Sequence, residues 1–184
     1  LSYPVDLEIL ENFLAFVEDG VLRTFPLIVQ RHAKAVSRDE WTGADALRPL
    51  TAKGARQAAA LTGPLSAFGV RRIITSDAVR CVMTVRPLEA QLGRDVHTTR
   101  DLSQDAFEDG TADVRSVVGK RVRAGKAAVL CSHRPVLPTL LRELALATTT
   151  MHGDYLDSAA DLAVGEFSVV HLSATHPGSG IVAI

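Results

Sequence analysis

The sequence has few cysteines, few aromatic residues and no long apolar run, and each scarcity excludes a class of protein. Its 184 residues include two cysteines, and aromatic side chains make up 5%. Two cysteines cannot build the disulfide framework of a small secreted scaffold, and no apolar stretch approaches the roughly 20 residues of a membrane-spanning helix. Neither sign of charge is in large excess, since 20 Lys and Arg stand against 21 Asp and Glu. We therefore expect neither a nucleic acid nor a membrane partner.

The cysteines and the amino-terminal charges indicate a compartment. Cys81 and Cys131 each lie in an apolar stretch, which is typical of buried thiols in a reducing environment. The first twenty residues hold five acidic side chains and no Lys or Arg, the reverse of a signal peptide. These features predict a cytoplasmic protein.

Several cofactor and metal motifs are absent as well. The sequence contains no G-x-x-x-x-G-K-[ST], no G-x-G-x-x-G and no G-x-S-x-G. Its six histidines include no pair three or four residues apart, and the cysteines form no C-x-x-C. The sequence therefore predicts no bound metal and no cofactor.

Hydrophobic periodicity predicts alternating helices and strands. Leu7, Leu10, Leu14 and Val17 give residues 5–18 an amphipathic helical pattern, and an apolar strand pattern follows at 26–30. Segment 148–161 is expected to be a loop. The alternation predicts a three-layer α/β/α sandwich with a mostly parallel central sheet. Its other elements are strands at 72–75, 127–131, 166–172 and 181–184, and helices from Thr51 toward Gly69 and over about 78–92, 112–124 and 136–147.

Polar residues follow three of the predicted strands. Arg31 and His32 come after the first strand, Arg80 lies shortly after the second, and His133 comes after the third. In α/β folds, ligands bind beyond the carboxyl ends of the strands. Guanidinium groups match phosphate oxygens in pairs, and a neutral imidazole can attack phosphorus. This combination is suited to phosphoryl transfer.

These residues resemble the motifs of the histidine phosphatase superfamily. Arg31-His32-Ala33 resembles its Arg-His-Gly signature, with alanine in place of glycine. Ser76 through Thr84, with Arg80 between them, is similar to its Ser-x-x-x-Arg segment, and Cys131-Ser132-His133 resembles its later histidine element. Arg48-Pro49-Leu50-Thr51 with Gly54 matches the short, SixA-like branch. The motifs extend over roughly residues 26–145.

The resemblance implies a phosphoglycerate-mutase-like fold and a site without metal. His32 would be the nucleophile, and Arg31, Arg80 and His133 would hold the phosphoryl oxygens. The family usually adds a carboxylate that protonates the leaving oxygen. Here Gln104 occupies that position, so Asp105 or Glu108 would substitute, with Asp105 the nearer along the chain. Otherwise the substrate has a leaving group that needs no acid.

The amino terminus carries a second resemblance. Leu1-Ser2-Tyr3, with Asp6, Ile9-Leu10 and Phe13, is similar to the last helix of a Nudix hydrolase domain, and mycobacterial MutT-type proteins join such a domain to a short histidine phosphatase domain. Residues 1–24 would then be a leading helix and linker, the remnant of a preceding Nudix domain, and residues 25–184 the phosphatase domain.

Three functions stay open from the sequence. The first is a metal-independent phosphatase that forms a phosphohistidine intermediate with a small phosphorylated molecule, such as a nucleoside diphosphate. The second is a SixA-like protein phosphohistidine phosphatase. The third is a catalytically silent phosphate-binding or regulatory domain.

Overall fold

The computed structural model describes residues 4–18, 20 and 23–184. Helix α1 (Pro4–Glu18) confirms the predicted leading helix. Its apolar residues Leu7, Leu10, Leu14 and Val17 are between 43% and 51% exposed. Of the residues that carry the Nudix resemblance, Leu1 to Tyr3 and the side chains of Asp6 and Phe13 lie outside the described part.

Within the described residues, one six-stranded sheet forms the centre of the fold. Its strands are β1 (Thr24–Arg31), β2 (Arg72–Ser76), β3 (Val96–Thr99), β4 (Ala128–Ser132), β5 (Phe167–Ser173) and β6 (Ile181–Ala183). They lie in the order β3-β2-β4-β1-β5-β6. Pairs β1–β4, β2–β4 and β2–β3 are parallel, whereas β1–β5 and β5–β6 are antiparallel. The mostly parallel sheet is therefore confirmed.

Helices cover both faces of the sheet and complete the three layers. They are α2 (Ala52–Ala67), α3 (Val79–Leu92), α4 (Gln104–Glu108), α5 (Val114–Ala124), α6 (Leu137–Ala147) and α7 (Asp154–Ala160). On one face, α5, α6 and α7 bury residues such as Val118, Leu140 and Leu156 against Leu27 and Leu130 of the sheet. On the other face, α2 and α3 pack against alternate strand residues, because successive strand side chains point to opposite faces.

The structure contradicts one secondary-structure prediction and contains elements that the sequence did not predict. Segment 148–161 is not only a loop, because it contains α7, whose Leu156 packs into the core. The edge strand β3 was missed because two of its four residues, His97 and Thr98, are exposed and polar and give no apolar pattern. Short 3-10 helices at Asp45–Leu47 and Arg100–Leu102 were not predicted either.

Both cysteines are buried free thiols, as predicted. Over the described residues, no helix combines the length and the apolar character needed to cross a membrane.

Candidate active site

Three neighbouring parallel strands end side by side and bring the predicted residues together. β1 ends at Arg31 and β4 at Ser132, and these two residues are paired in the sheet register. His32 directly follows β1 and His133 directly follows β4, and the centroids of the two imidazole rings are 5.3 Å apart. The two histidines, about 100 residues apart in the sequence, therefore face each other beyond the carboxyl edge of the sheet.

The hydrogen bonding of His32 leaves one ring nitrogen free. Its Nδ1 lies 2.8 Å from the main-chain oxygen of Ala33, and since a carbonyl only accepts, Nδ1 carries the proton. Burial, together with the smaller effects of the Arg80 and Arg31 charges, lowers the pKa of the imidazole to about 4, against the opposing effect of the hydrogen bond to Ala33. At neutral pH, Nε2 therefore has an available lone pair.

His133 is 1% exposed and held by a chain of hydrogen bonds. The Ala78 N–H donates to Ser76 Oγ at 3.2 Å, and Ser76 Oγ lies 2.9 Å from His133 Nε2. If the Ser76 hydroxyl donates to Nε2, Nδ1 carries the ring proton and can donate to a ligand. Burial first, and then the charge of Arg80, lower the pKa of His133 to about 2, so this ring is also neutral.

Two arginines present buried donors that have no partner. Arg80 is 1% exposed, and its Nη1 donates to the main-chain oxygen of Asp45 at 2.7 Å. Arg31 Nη1 donates to the main-chain oxygen of Leu162 at 2.8 Å. The Nε atoms of both arginines are buried and find no hydrogen-bond partner within the described part of the chain. Because buried polar groups are nearly always satisfied in native proteins, these two donors indicate an anion site.

Asp45, which the sequence analysis did not single out, lies within this cluster. Its carboxylate is 3.1 Å from Arg38 Nε, 3.0 Å from Arg48 Nη2 and 2.9 Å from Arg80 Nη2. Burial alone would raise the pKa of Asp45, but the charge of Arg80 and the hydrogen bond from Arg38 outweigh it and hold the pKa below its usual value. Its position three residues before Arg48 was the signal available in the sequence.

The loop after β1 is held by contacts from two helices. Thr84 of α3 accepts a hydrogen bond from the Ala33 N–H at 2.9 Å. Thr51, the N-cap of α2, donates to the main-chain oxygen of Lys34 at 3.0 Å. α2 approaches this oxygen so closely that a Cβ on Gly54 would lie 2.0 Å from it. These contacts fix the backbone of the two residues that follow His32.

The structure does not bring Asp105 into contact with the arginines and histidines. Asp105 is exposed on α4 and forms no side-chain hydrogen bond or ion pair among the described residues. Gln104 donates to Glu108 Oε1 at 2.6 Å, so these two side chains bond to each other. Ser132 Oγ nevertheless donates to the Leu102 carbonyl at 2.7 Å, which fixes the start of this segment near the end of β4.

The remaining predicted residues do come together: Arg31, His32, Arg80 and His133 form one cluster at the sheet edge. In the ranges that the structure describes, no group of three His, Cys, Asp or Glu side chains is arranged to hold a metal ion. The cluster can bind an anion with arginine donors and can attack it with a neutral imidazole.

Comparisons with known proteins show what the chain is similar to. The model of the histidine phosphatase superfamily (branch 1) matches residues 27–111. Over 142 residues, the chain is 33% identical to the 8-oxo-(d)GTP phosphatase of Mycolicibacterium smegmatis, covering 77% of this chain and 42% of that protein. The chain thus spans less than half the length of this curated relative.

Solved structures share the fold. The protein histidine phosphatase SixA, solved with tungstate, superposes with a TM-score of 0.60 at 19% identity, over 83% of this chain and 91% of that one. A mycobacterial glucosyl-3-phosphoglycerate phosphatase gives a TM-score of 0.61 at 15% identity, over 86% and 95% of the two chains. These likenesses show the phosphoglycerate-mutase-like α/β/α architecture.

Proposed function

From the superfamily match over residues 27–111 and the relative that is 33% identical, we propose that the chain is a histidine phosphatase that needs no metal and transfers a phosphoryl group to His32 and then to water. The substrate is a small phosphorylated molecule, with a nucleotide such as a nucleoside diphosphate as the preferred candidate. The superfamily match supports the phosphatase class, and the relative's name supports the nucleotide.

One observation carries the proposal. The unpartnered Nε donors of Arg31 and Arg80 are buried in the same cluster as a His32 ring with a free Nε2. An unsatisfied buried donor costs about 1–3 kcal/mol, and more when the group is charged. A phosphoryl group would supply oxygen acceptors to both donors and an electrophilic phosphorus to the imidazole. A phosphorylated ligand would thus give both donors the acceptors that the described side chains and main chain do not supply.

The reaction would proceed in two displacements. The lone pair of His32 Nε2 forms a bond to phosphorus while the bond to the leaving oxygen breaks. Arg31 and Arg80 hold the phosphoryl oxygens and neutralise the charge that develops on them. With the Ser76 hydroxyl donating to Nε2 of His133, the Nδ1 proton of His133 would be donated to a third oxygen. Water then attacks phosphorus, the P–N bond breaks, and its electron pair returns to His32.

The relative's name supports the nucleotide substrate. That protein is called an 8-oxo-(d)GTP phosphatase, and this chain matches 42% of it. When the terminal phosphoryl group of a nucleoside diphosphate is transferred to His32, the nucleoside monophosphate departs, and it is a good leaving group. This agrees with the amide of Gln104 at the position where the family usually has its acid. The preceding Nudix domain, residues 1–24 as its linker, and a cytoplasmic location remain parts of the proposal.

A second candidate is a protein phosphohistidine phosphatase. Gln104 favours it, because a P–N bond breaks without the carboxylate that an ester leaving group needs. The phosphohistidine is then the phosphoryl donor, and His32 keeps the same role.

The test is phosphate release in excess EDTA from nucleoside mono-, di- and triphosphates, sugar phosphates and a phosphorylated histidine-containing transfer protein. We expect His32→Ala to lose at least about 10³-fold in kcat/KM, because the nucleophile is removed. His97→Ala is the matched control, since His97 is exposed on β3. Full activity in His32→Ala would overturn the mechanism. Turnover of the transfer protein alone would replace the nucleotide proposal with the second candidate.

A further inference from the structure

Asp45 is the acidic side chain that the structure places against the candidate phosphate-binding arginines. Its carboxylate contacts Arg80 at 2.9 Å and Arg48 at 3.0 Å. The negative charge of Asp45 also acts on His133, where it partly opposes the lowering of the pKa by burial and by Arg80. Asp105 and Glu108 make no such contact. Gln104 cannot transfer a proton, and of these three carboxylates, Asp45 is the one in contact with a phosphate-binding arginine.

The two carboxylate oxygens of Asp45 have different environments. Oδ1 accepts hydrogen bonds from Arg38 Nε and Arg48 Nε, both at 3.1 Å. Among the described residues, Oδ2 is buried and accepts no aligned hydrogen bond, although it makes an ion pair with Arg80 Nη2 at 2.9 Å. Oδ1 is therefore held by two hydrogen bonds, whereas Oδ2 makes the ion pair alone. Such a buried oxygen can still accept a hydrogen bond from a water molecule that enters the site.

The chemistry of the site identifies that donor. Phosphoryl oxygens only accept, so they would bind the arginines and not Oδ2. A water molecule approaching phosphorus from the side of Asp45 would donate to Oδ2. Three guanidinium groups surround this one carboxylate, so the cluster stays positively charged and still attracts a phosphoryl group. The same arginines hold the pKa of Asp45 low, so it is a carboxylate at rest.

We propose that Asp45 is the general base that activates the water molecule that hydrolyses the phosphohistidine. This inference rests on the proposed function. In the step, water oxygen bonds to phosphorus, its proton goes to Asp45 Oδ2, the P–N bond breaks, and the electron pair returns to His32 Nε2. Asp45 then releases the proton to solvent. Because Asp45 carries no proton at rest, the first displacement favours leaving groups that depart as anions, such as phosphoanhydrides.

The test separates the two displacements with p-nitrophenyl phosphate, whose leaving group departs without a proton. Asp45→Asn keeps the shape and an oxygen acceptor for the arginines but cannot take a proton. We expect a burst of about one p-nitrophenolate per active site, followed by a steady rate lower by about 10²–10⁴-fold. Phosphoenzyme should accumulate, detected by intact mass after a neutral quench, and should be absent from the Asp45→Asn, His32→Ala double variant.

Two matched controls and a rescue complete the experiment. Asp39→Asn changes an exposed carboxylate of the same loop, and Asp105→Asn changes the carboxylate on α4. Both should turn over like the wild type. Asp45→Ala should regain part of its hydrolysis step when formate is added, because formate can take the proton. A thermal unfolding midpoint for each variant shows that it is folded.

Three results would overturn the inference. Wild-type turnover in Asp45→Asn would show that no base is needed at this position. Equal loss of both displacements, without a burst or formate rescue, would leave Asp45 only the role of positioning Arg80. Phosphoenzyme accumulation in Asp105→Asn would move the base to Asp105. The proposed function fails differently, with full activity in His32→Ala and no phosphoenzyme in any variant.

Discussion

At the scale of single residues, burial decides the chemistry of the site. An exposed imidazole is partly protonated near pH 6.5, but burial disfavours the charged form of His32, and the neighbouring Arg80 and Arg31 disfavour it further. The hydrogen bond to the Ala33 carbonyl directs the remaining proton to Nδ1. A neutral nucleophile is therefore present well below neutral pH.

This predicts the pH dependence of the reaction. With a pKa of about 4 for His32, the unprotonated form prevails above that pH and is lost as the pH falls through it. We expect kcat/KM for an aryl phosphate, corrected for the ionisation of the substrate, to hold down to about pH 5 and to fall near pH 4. An acid limb at pH 6 to 6.5 would show that His32 is not desolvated as described.

At the scale of elements, the close approach of α2 to the loop after β1 positions the site. Gly54 allows this approach, because a Cβ there would lie 2.0 Å from the Lys34 carbonyl oxygen and 2.9 Å from its carbon. Both atoms belong to the backbone and cannot turn away as a side chain can. Lys34 lies two residues after His32, so a displaced helix would also move the nucleophile.

Gly54→Ala should therefore destabilise the protein and weaken catalysis. We expect a loss of about 1–3 kcal/mol or more in the free energy of unfolding, the usual cost of overpacking, measured by urea denaturation. Gly119→Ala in α5 is the matched control, since the nearest atoms to its Cβ belong to the flexible end of Arg123. There, better helix propensity should stabilise by up to about 1 kcal/mol. Equal stability of the two variants would contradict the contact at Lys34.

At the scale of the whole molecule, the sheet separates two apolar layers, and both cysteines belong to the layer covered by α2 and α3. Cys81 and Cys131 are 0% exposed. Burial raises the pKa of the Cys81 thiol, so the reactive thiolate is scarce even if reagent enters. Access to either sulfur therefore requires the layer to open.

Thiol labelling should thus report global unfolding. We expect native protein to react with an aromatic disulfide reagent at least about 10³-fold more slowly than a free thiol, since opening costs several kcal/mol. In concentrated urea, both thiols should react rapidly. Single Cys→Ala variants assign each reaction to its residue. Rapid labelling of native protein would contradict the tight packing of this layer.

The sequence by itself determined the alternation of helices and strands, the three-layer class, and the candidates Arg31, His32, Arg80 and His133. These depend on local patterns, because apolar periodicity and strand-end motifs lie within short segments. The sequence did not predict the edge strand β3 or the helix α7, because exposed polar strands and short helices have weak local signals. Its candidate acid, Asp105, was chosen by nearness in sequence, and the structure leaves that side chain exposed.

Only the tertiary structure decided which groups meet and in which protonation state. The distance between the histidine rings depends on β1 and β4 being sheet neighbours, although about 100 residues separate them. The lowered pKa of His32 depends on burial by the whole fold. The place of Asp45 depends on its loop folding back onto Arg80 of α3. All three features depend on contacts between residues far apart in the sequence, and the residue types alone do not give the distances between them.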